Sequence, residues 1–174
     1  MSSADPTIDA NPIPVGARRV LLYGGSFDPP HLAHTTLPLL VRDAIDADAV
    51  VFIPAARSPF KDNAPAATND QRVEMLRLAL AGTERTAIAT LEFERDGASY
   101  TVDTLRRLRE ERPQTELRLL IGADQARSFH RWRDAHTIME LAPPAVMLRP
   151  GEDGREALIE KLRPHWDDDA MRVW

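Results

Sequence analysis

Two glycines followed by two histidines carry the clearest chemistry in this chain: Gly24-Gly25-Ser26-Phe27-Asp28-Pro29-Pro30-His31-Leu32-Ala33-His34. Adjacent glycines let the backbone take unusual dihedrals and come close to a ligand. Asp28-Pro29-Pro30 forces a turn, and proline is tolerated in a helix's first turn because the N–H groups there have no intrahelical partner. A helix opening just after it aims those N–H groups and its positive dipole end back at the glycines, which favours phosphate. His31 and His34, three apart, share one face of the first turns and can both donate to an anion held there. A pentacoordinate phosphorus needs such donors as charge builds on its oxygens. The segment therefore suits phosphoryl or nucleotidyl transfer, where positioning and charge stabilisation carry the rate. A His-x-x-His pair with no third ligand makes a poor zinc site, so no metal is assigned to the histidines. Taken singly, each part has a plainer reading as an ordinary turn or a surface histidine.

The frame around these residues is legible from hydrophobic spacing. Arg19–Tyr23 is a compact apolar run stopped by the two glycines and reads as a buried strand. Leu32–Ala44 has apolar residues at helical spacing, with Pro38 predicting a kink or some local loss of helix. Ala49–Ile53 reads as a second strand and Ala55–Thr68 as a long loop. Asn69–Ala81 is a helix capped by Asn69 or Thr68 and ended by Gly82. Further strands are expected at Thr86–Leu91, Leu117–Ile121 and Ala145–Leu148. Helices are expected at Val102–Glu111, over most of Gly122–Leu141, and at Glu152–Leu162. Strand–helix alternation implies a single α/β domain: a Rossmann-like, doubly wound parallel sheet of about five strands with helices on both faces. Ligands in such folds sit at the carboxyl ends of the strands, where the strand order reverses.

Composition narrows the function classes. With 27 acidic residues against 22 basic ones, the chain lacks the charge for a general grip on nucleic acid. The absence of cysteine excludes disulfides, thiol nucleophiles and Cys-ligated zinc. No apolar run is long enough to span a membrane. Residues 1–17 are polar, contain three prolines and lack the pattern of a secretory signal. They read as a flexible leader before a domain over 18–174, and the expected location is cytoplasmic. A homo-oligomer is compatible with all of this.

The glycine–histidine segment closely resembles the ATP-binding motif of the nucleotidyltransferase superfamily, and is most similar to the bacterial nicotinate-nucleotide adenylyltransferase family. Further segments match in order over about residues 19–151: Ile53-Pro54-Ala55-Ala56-Arg57-Ser58-Pro59-Phe60-Lys61, Ser99-Tyr100-Thr101-Val102-Asp103-Thr104-Leu105, Leu120-Ile121-Gly122-Ala123-Asp124 with Trp132 downstream, and Arg149-Pro150-Gly151. The resemblance implies transfer of the adenylyl group of ATP to nicotinate mononucleotide, giving deamido-NAD and pyrophosphate, with Mg²⁺ accompanying the triphosphate. It implies His31 and His34 as catalytic residues, and Gly24, Gly25, Ser26, Phe27, His34, Gly122 and Asp124 as the ATP side. Arg57, Lys61, Tyr100, Thr101, Trp132 and Arg149 fall to the mononucleotide side.

Each downstream residue also has a structural alternative. Asp124 can cap a helix, Trp132 can be a core residue, Tyr100 and Thr101 can serve as helix capping, and Arg57 and Lys61 can be solvated. His130 and His136, with Arg127, Arg131 and Arg133, read as a solvated face with some packing, and Asp167-Asp168-Asp169 as a surface turn. Two departures from the family stand out. Ala33 replaces the usual glycine between the histidines. The family's closing motif of the type Ile-Ser-Ser-Thr-x-Ile-Arg does not occur in these 174 residues, so a fragment is expected. Two alternatives stay open: adenylyl transfer to another phosphorylated acceptor such as phosphopantetheine, and a nucleotide-binding module without turnover.

Overall fold

The computed structural model describes residues 5–56, 65–95, 97–148 and 154–174. The apolar runs become β2 (Arg19–Gly25), β3 (Ala49–Pro54) and β5 (Glu116–Gly122), which lie side by side in one sheet. β4 (Thr86–Ala89) joins beyond β3, and β6 (Pro144–Met147) beyond β5. A further strand, β1 (Thr7–Asp9), pairs with β4, so the order is β1-β4-β3-β2-β5-β6 and every pairing is parallel.

Among the described residues the sheet thus has six strands, where about five were expected. The additional one lies inside the stretch expected to be a flexible leader. Its three residues are all exposed, and it is held by backbone pairing of Thr7, Ile8 and Asp9 with Ala87, Ile88 and Ala89. Short polar segments of this kind carry no hydrophobic alternation to announce them.

Side chains along β2 alternate between two cores, as strand geometry dictates. Val20 and Leu22 join one, with Val51, Leu119, Ile121, Leu105 and Phe129, under α3 (Thr101–Glu111), α4 (Ala123–Ser128), α5 (Ala135–Leu141) and α6 (Arg155–Leu162). Leu21 joins the other with Val50, Phe52, Leu76 and Leu80, under α2 (Asn69–Leu80), while Leu39 and Val41 of α1 (Leu32–Ala44) pack against it. A last short helix, α7 (Asp168–Met171), adds Ala170 to the first core.

Several boundaries shift for local reasons. α1 runs unbroken through Pro38, which is buried. α2 is capped by Thr68: its hydroxyl accepts from Gln71 N–H at 3.2 Å, and Gln71 Oε1 accepts from Thr68 N–H at 2.9 Å. Gly82, just past its end, takes a left-handed φ of 76°. The strand expected to reach Leu91 stops at Ala89, and Leu91–Glu94 form a 3₁₀ turn. Gly122–Leu141 divides into α4, a 3₁₀ turn over Phe129–Arg131, and α5, because Trp132 is extended and Asp134 is left-handed at φ 52°. Among the described residues no helix is long and apolar enough to cross a membrane.

Candidate active site

The chain runs outward from β2 to β3 and β4, then returns to β5 and β6 on the other side, so the strand order reverses between β2 and β5. A cavity of about 690 Å³ opens there, within the range that holds a small-molecule ligand. Its walls come from the end of β2 (Tyr23 to Ser26), the start of α1 (His31, Ala33, His34), the end of β5 (Leu119 to Gly122), the start of α3 (Tyr100, Thr101), and Trp132. The two separate sequence signals, glycine–histidine and Tyr-Thr with Trp, therefore face one space.

Packing fixes the geometry of the β2 end. Phe27 takes a left-handed φ of 47° and is 1% exposed. Its ring sits edge-on to Tyr23 (5.7 Å), Phe52 (6.0 Å) and His34 (5.3 Å). A Cβ on Gly25 would stand 3.0 Å from that ring, close enough that the ring would have to give by a few tenths of an ångström; at Gly24 the nearest atom would be Ile53 O at 4.0 Å. Phe27, expected on the ATP side, has its ring buried beneath the loop, and it does not line the cavity.

His31 and His34 stack with centroids 3.5 Å apart at an interplanar angle of 19°. His34 Nδ1 accepts from the backbone N–H of His31 at 3.3 Å. With Nδ1 accepting, the neutral ring carries its proton on Nε2, where it is a donor. Asp28 does a different job: its carboxylate accepts from Ala66 N–H at 2.6 Å and Ala67 N–H at 3.2 Å, tying the chain before α2 to this turn.

Two buried charges near the cavity were missed by sequence reasoning. Arg72 is fully buried and donates to Ser26 O (2.8 Å), Ala55 O (2.8 Å) and Asn69 Oδ1 (2.6 Å), with its guanidinium 5.4 Å from the Phe93 ring centroid. Desolvation lowers its pKa from the ordinary arginine value. Its position could have been read: Arg72 heads the i, i+4, i+8 row completed by the buried Leu76 and Leu80. Glu92 lines the cavity at 6% exposure, and its Oε1 accepts from the Thr104 hydroxyl at 2.8 Å. Burial raises its carboxyl above the usual range, and the Thr104 hydrogen bond pulls the other way.

Around Trp132 the picture is mixed. Trp132 lines the cavity, is half-buried, and packs on Phe129 at 5.0 Å. Gly122 caps α4, its N–H donating to Gln125 Oε1 at 3.1 Å. Asp124 is exposed, pairs with Arg127 at 2.7 Å and does not line the cavity. Arg131 and Arg133, read as part of a solvated face, are exposed but do line it. His130 stacks on His165 at 3.7 Å and does not line the cavity. Arg57, Lys61 and Arg149 lie outside the described residues. Among the described residues no group of three or more His, Asp or Glu is placed to hold a metal ion.

Residues 22–171 match the cytidylyltransferase-like family. A protein of Rhodopirellula baltica named probable nicotinate-nucleotide adenylyltransferase is 38% identical over 152 residues, covering 87% of this chain and 68% of that protein. A Thermus thermophilus protein of the same name is 41% identical over 139 residues, covering 80% and 74%. The fold resembles that of Plasmodium falciparum nicotinic acid mononucleotide adenylyltransferase, solved in complex with NaAD, with a TM-score of 0.65 at 18% identity over 83% of this chain and 71% of that one. With residues 22–171 matching the family and relatives of 38% and 41% identity covering most of its length, this chain belongs to the cytidylyltransferase-like family and, within it, to the nicotinate-nucleotide adenylyltransferases.

Proposed function

We infer that this protein transfers the adenylyl group of ATP to nicotinate mononucleotide, releasing pyrophosphate and forming deamido-NAD, a step of NAD biosynthesis. One observation carries the assignment: the glycine end of β2 with His31 and His34, and the start of α3 with Trp132, open into the same cavity. ATP lies with its phosphates against Gly24, Gly25, Ser26 and the start of α1, where the positive end of the helix dipole favours anions. Gly122 and Asp124 take its nucleoside side. The mononucleotide places its pyridine on Trp132 and its carboxylate at the N–H groups opening α3, beside Tyr100 and Thr101. Arg57, Lys61 and Arg149 are assigned to the same substrate on their motif positions.

The phosphate oxygen of the mononucleotide attacks the α-phosphorus of ATP in line. The new P–O bond forms as the bond to the β-phosphate oxygen breaks, and pyrophosphate leaves. His31 and the Nε2–H of His34 donate to the oxygens that gain charge, and no covalent enzyme intermediate forms. Mg²⁺ arrives as the companion of the triphosphate, as part of the substrate. A cytoplasmic setting goes with a biosynthetic role fed by ATP.

Purified protein supplied with ATP, Mg²⁺ and nicotinate mononucleotide should release pyrophosphate, and omitting the mononucleotide should stop it. Release with phosphopantetheine but not with the mononucleotide would overturn the acceptor.

A further inference from the structure

Arg133 lines the cavity one residue beyond Trp132, and its guanidinium carbon sits 4.6 Å from the centroid of the Tyr100 ring. An exposed arginine is ordinarily a solvated one, and its neighbours show what satisfies them. Arg127 pairs with Asp124 at 2.7 Å. Arg106 takes Asp134, the acid adjacent to Arg133, at 3.2 Å. Arg133 has no carboxylate or carbonyl partner among the described residues; its guanidinium lies over the face of Tyr100.

A cation–π contact fixes the plane of a guanidinium without using its N–H groups. The fork is therefore oriented at a cavity wall with its donors available. Such a group matches a planar carboxylate, which it can bind through two parallel hydrogen bonds. The location is at the ring end of the cavity, since Arg133 stands between Trp132 in sequence and Tyr100 in space, whereas the reacting phosphates belong at His31 and His34.

We propose that Arg133, oriented by Tyr100, binds the carboxylate on the pyridine ring of the mononucleotide and sets the preference for the acid over the amide. This rests on the mononucleotide assignment above. The amide analogue has the same shape and its carbonyl can still accept from the N–H groups opening α3, but it loses the charge-assisted bonds to Arg133, which therefore carries the discrimination.

Calorimetric titration of nicotinate mononucleotide and nicotinamide mononucleotide into the wild type, Arg133→Gln and Arg133→Lys tests it. In Arg133→Gln the Kd for the acid should rise by about tenfold or more while that for the amide stays put. Arg133→Lys, which keeps the charge without the fork, should fall between. Unchanged melting temperatures would show that the variants fold. Equal weakening of both ligands would overturn the proposal and assign Arg133 to the phosphate they share. An unchanged acid-to-amide ratio would also overturn it. Wild-type protein that binds neither mononucleotide would instead overturn the substrate assignment, and this proposal with it.

Discussion

The buried guanidinium of Arg72 donates at 2.8 Å to the carbonyl of Ser26, 46 residues away in sequence, and so ties α2 to the loop that is proposed to meet the ATP phosphates. A second donation, to Ala55 O at 2.8 Å, holds the end of β3 in the same grip. Replacing Arg72 by Met would leave both carbonyls without their donor. The expected loss is on the order of 3 kcal/mol, measured by urea unfolding. In the folded fraction, ATP should bind more weakly than in the wild type while the mononucleotide is unaffected. Unaltered urea midpoints would contradict this account of the loop.

Gly24 and Gly25 are adjacent but should fail differently. Gly25→Ala pushes a methyl against Phe27, whose ring would lie 3.0 Å away and which is itself buried beneath His34. It should lower stability of the free protein by about 1–3 kcal/mol as overpacking. Gly24→Ala meets only Ile53 O at 4.0 Å, so thermal melts should match the wild type while the affinity for ATP falls. Equal melting temperatures for the two variants would show that Phe27 yields to the added methyl.

For the histidines, His34→Ala and His31→Ala should each lower kcat by about 10²–10³-fold with little change in the KM for ATP, since donors aimed at developing charge act on the transition state. His34 also accepts from the N–H of His31, so its loss should loosen the α1 start as well. Amide hydrogen exchange at His31 would register that second effect. Full activity in His34→Ala would sink the proposed chemistry.

Glu92 gives a pH dependence whose sign can be worked out. Burial raises its carboxyl in the folded state, so the folded protein holds that proton more tightly than the unfolded chain does. The stability it contributes is complete below the unfolded carboxyl value, and is lost as pH climbs from there through the raised folded value. Glu92→Gln removes this dependence and keeps an acceptor for Thr104. Melting temperatures of variant and wild type, compared from about pH 4 to neutrality, should diverge in favour of the variant as pH rises. Parallel curves would count against a raised carboxyl.

What could be read from sequence was what repeats or punctuates. The apolar runs of β2, β3 and β5 and the periodic faces of the helices announced a parallel sheet, and Gly24, Gly25, His31 and His34 marked a strand end meeting a helix start. Tyr100, Thr101 and Trp132 were legible as a motif, though only folding brings them to the same cavity as the histidines. The edge strand Thr7–Asp9 was hidden because it is exposed and held by backbone alone. Glu92 was hidden because charged side chains are ordinarily taken as solvated; Arg72 was signalled only by its row with Leu76 and Leu80, and hydrogen bonds to distant residues satisfy both inside. Phe27 was legible as part of a motif, but not the burial of its ring under the loop, which only the packing of Tyr23, Phe52 and His34 around it reveals.

The packing around Phe129 has an optical consequence. Trp132, Trp166 and Trp174 all crowd that one ring, at 5.0, 6.0 and 5.4 Å, and they are the only tryptophans in the chain. The protein's ultraviolet emission therefore originates from a single cluster whose indoles exchange excitation energy. Of the three, only Trp132 reaches the cavity. A pyridine ring laid on it would act as a sink for all of them, so ligand occupancy can be followed by the dimming of the native protein, with no dye and no engineered label.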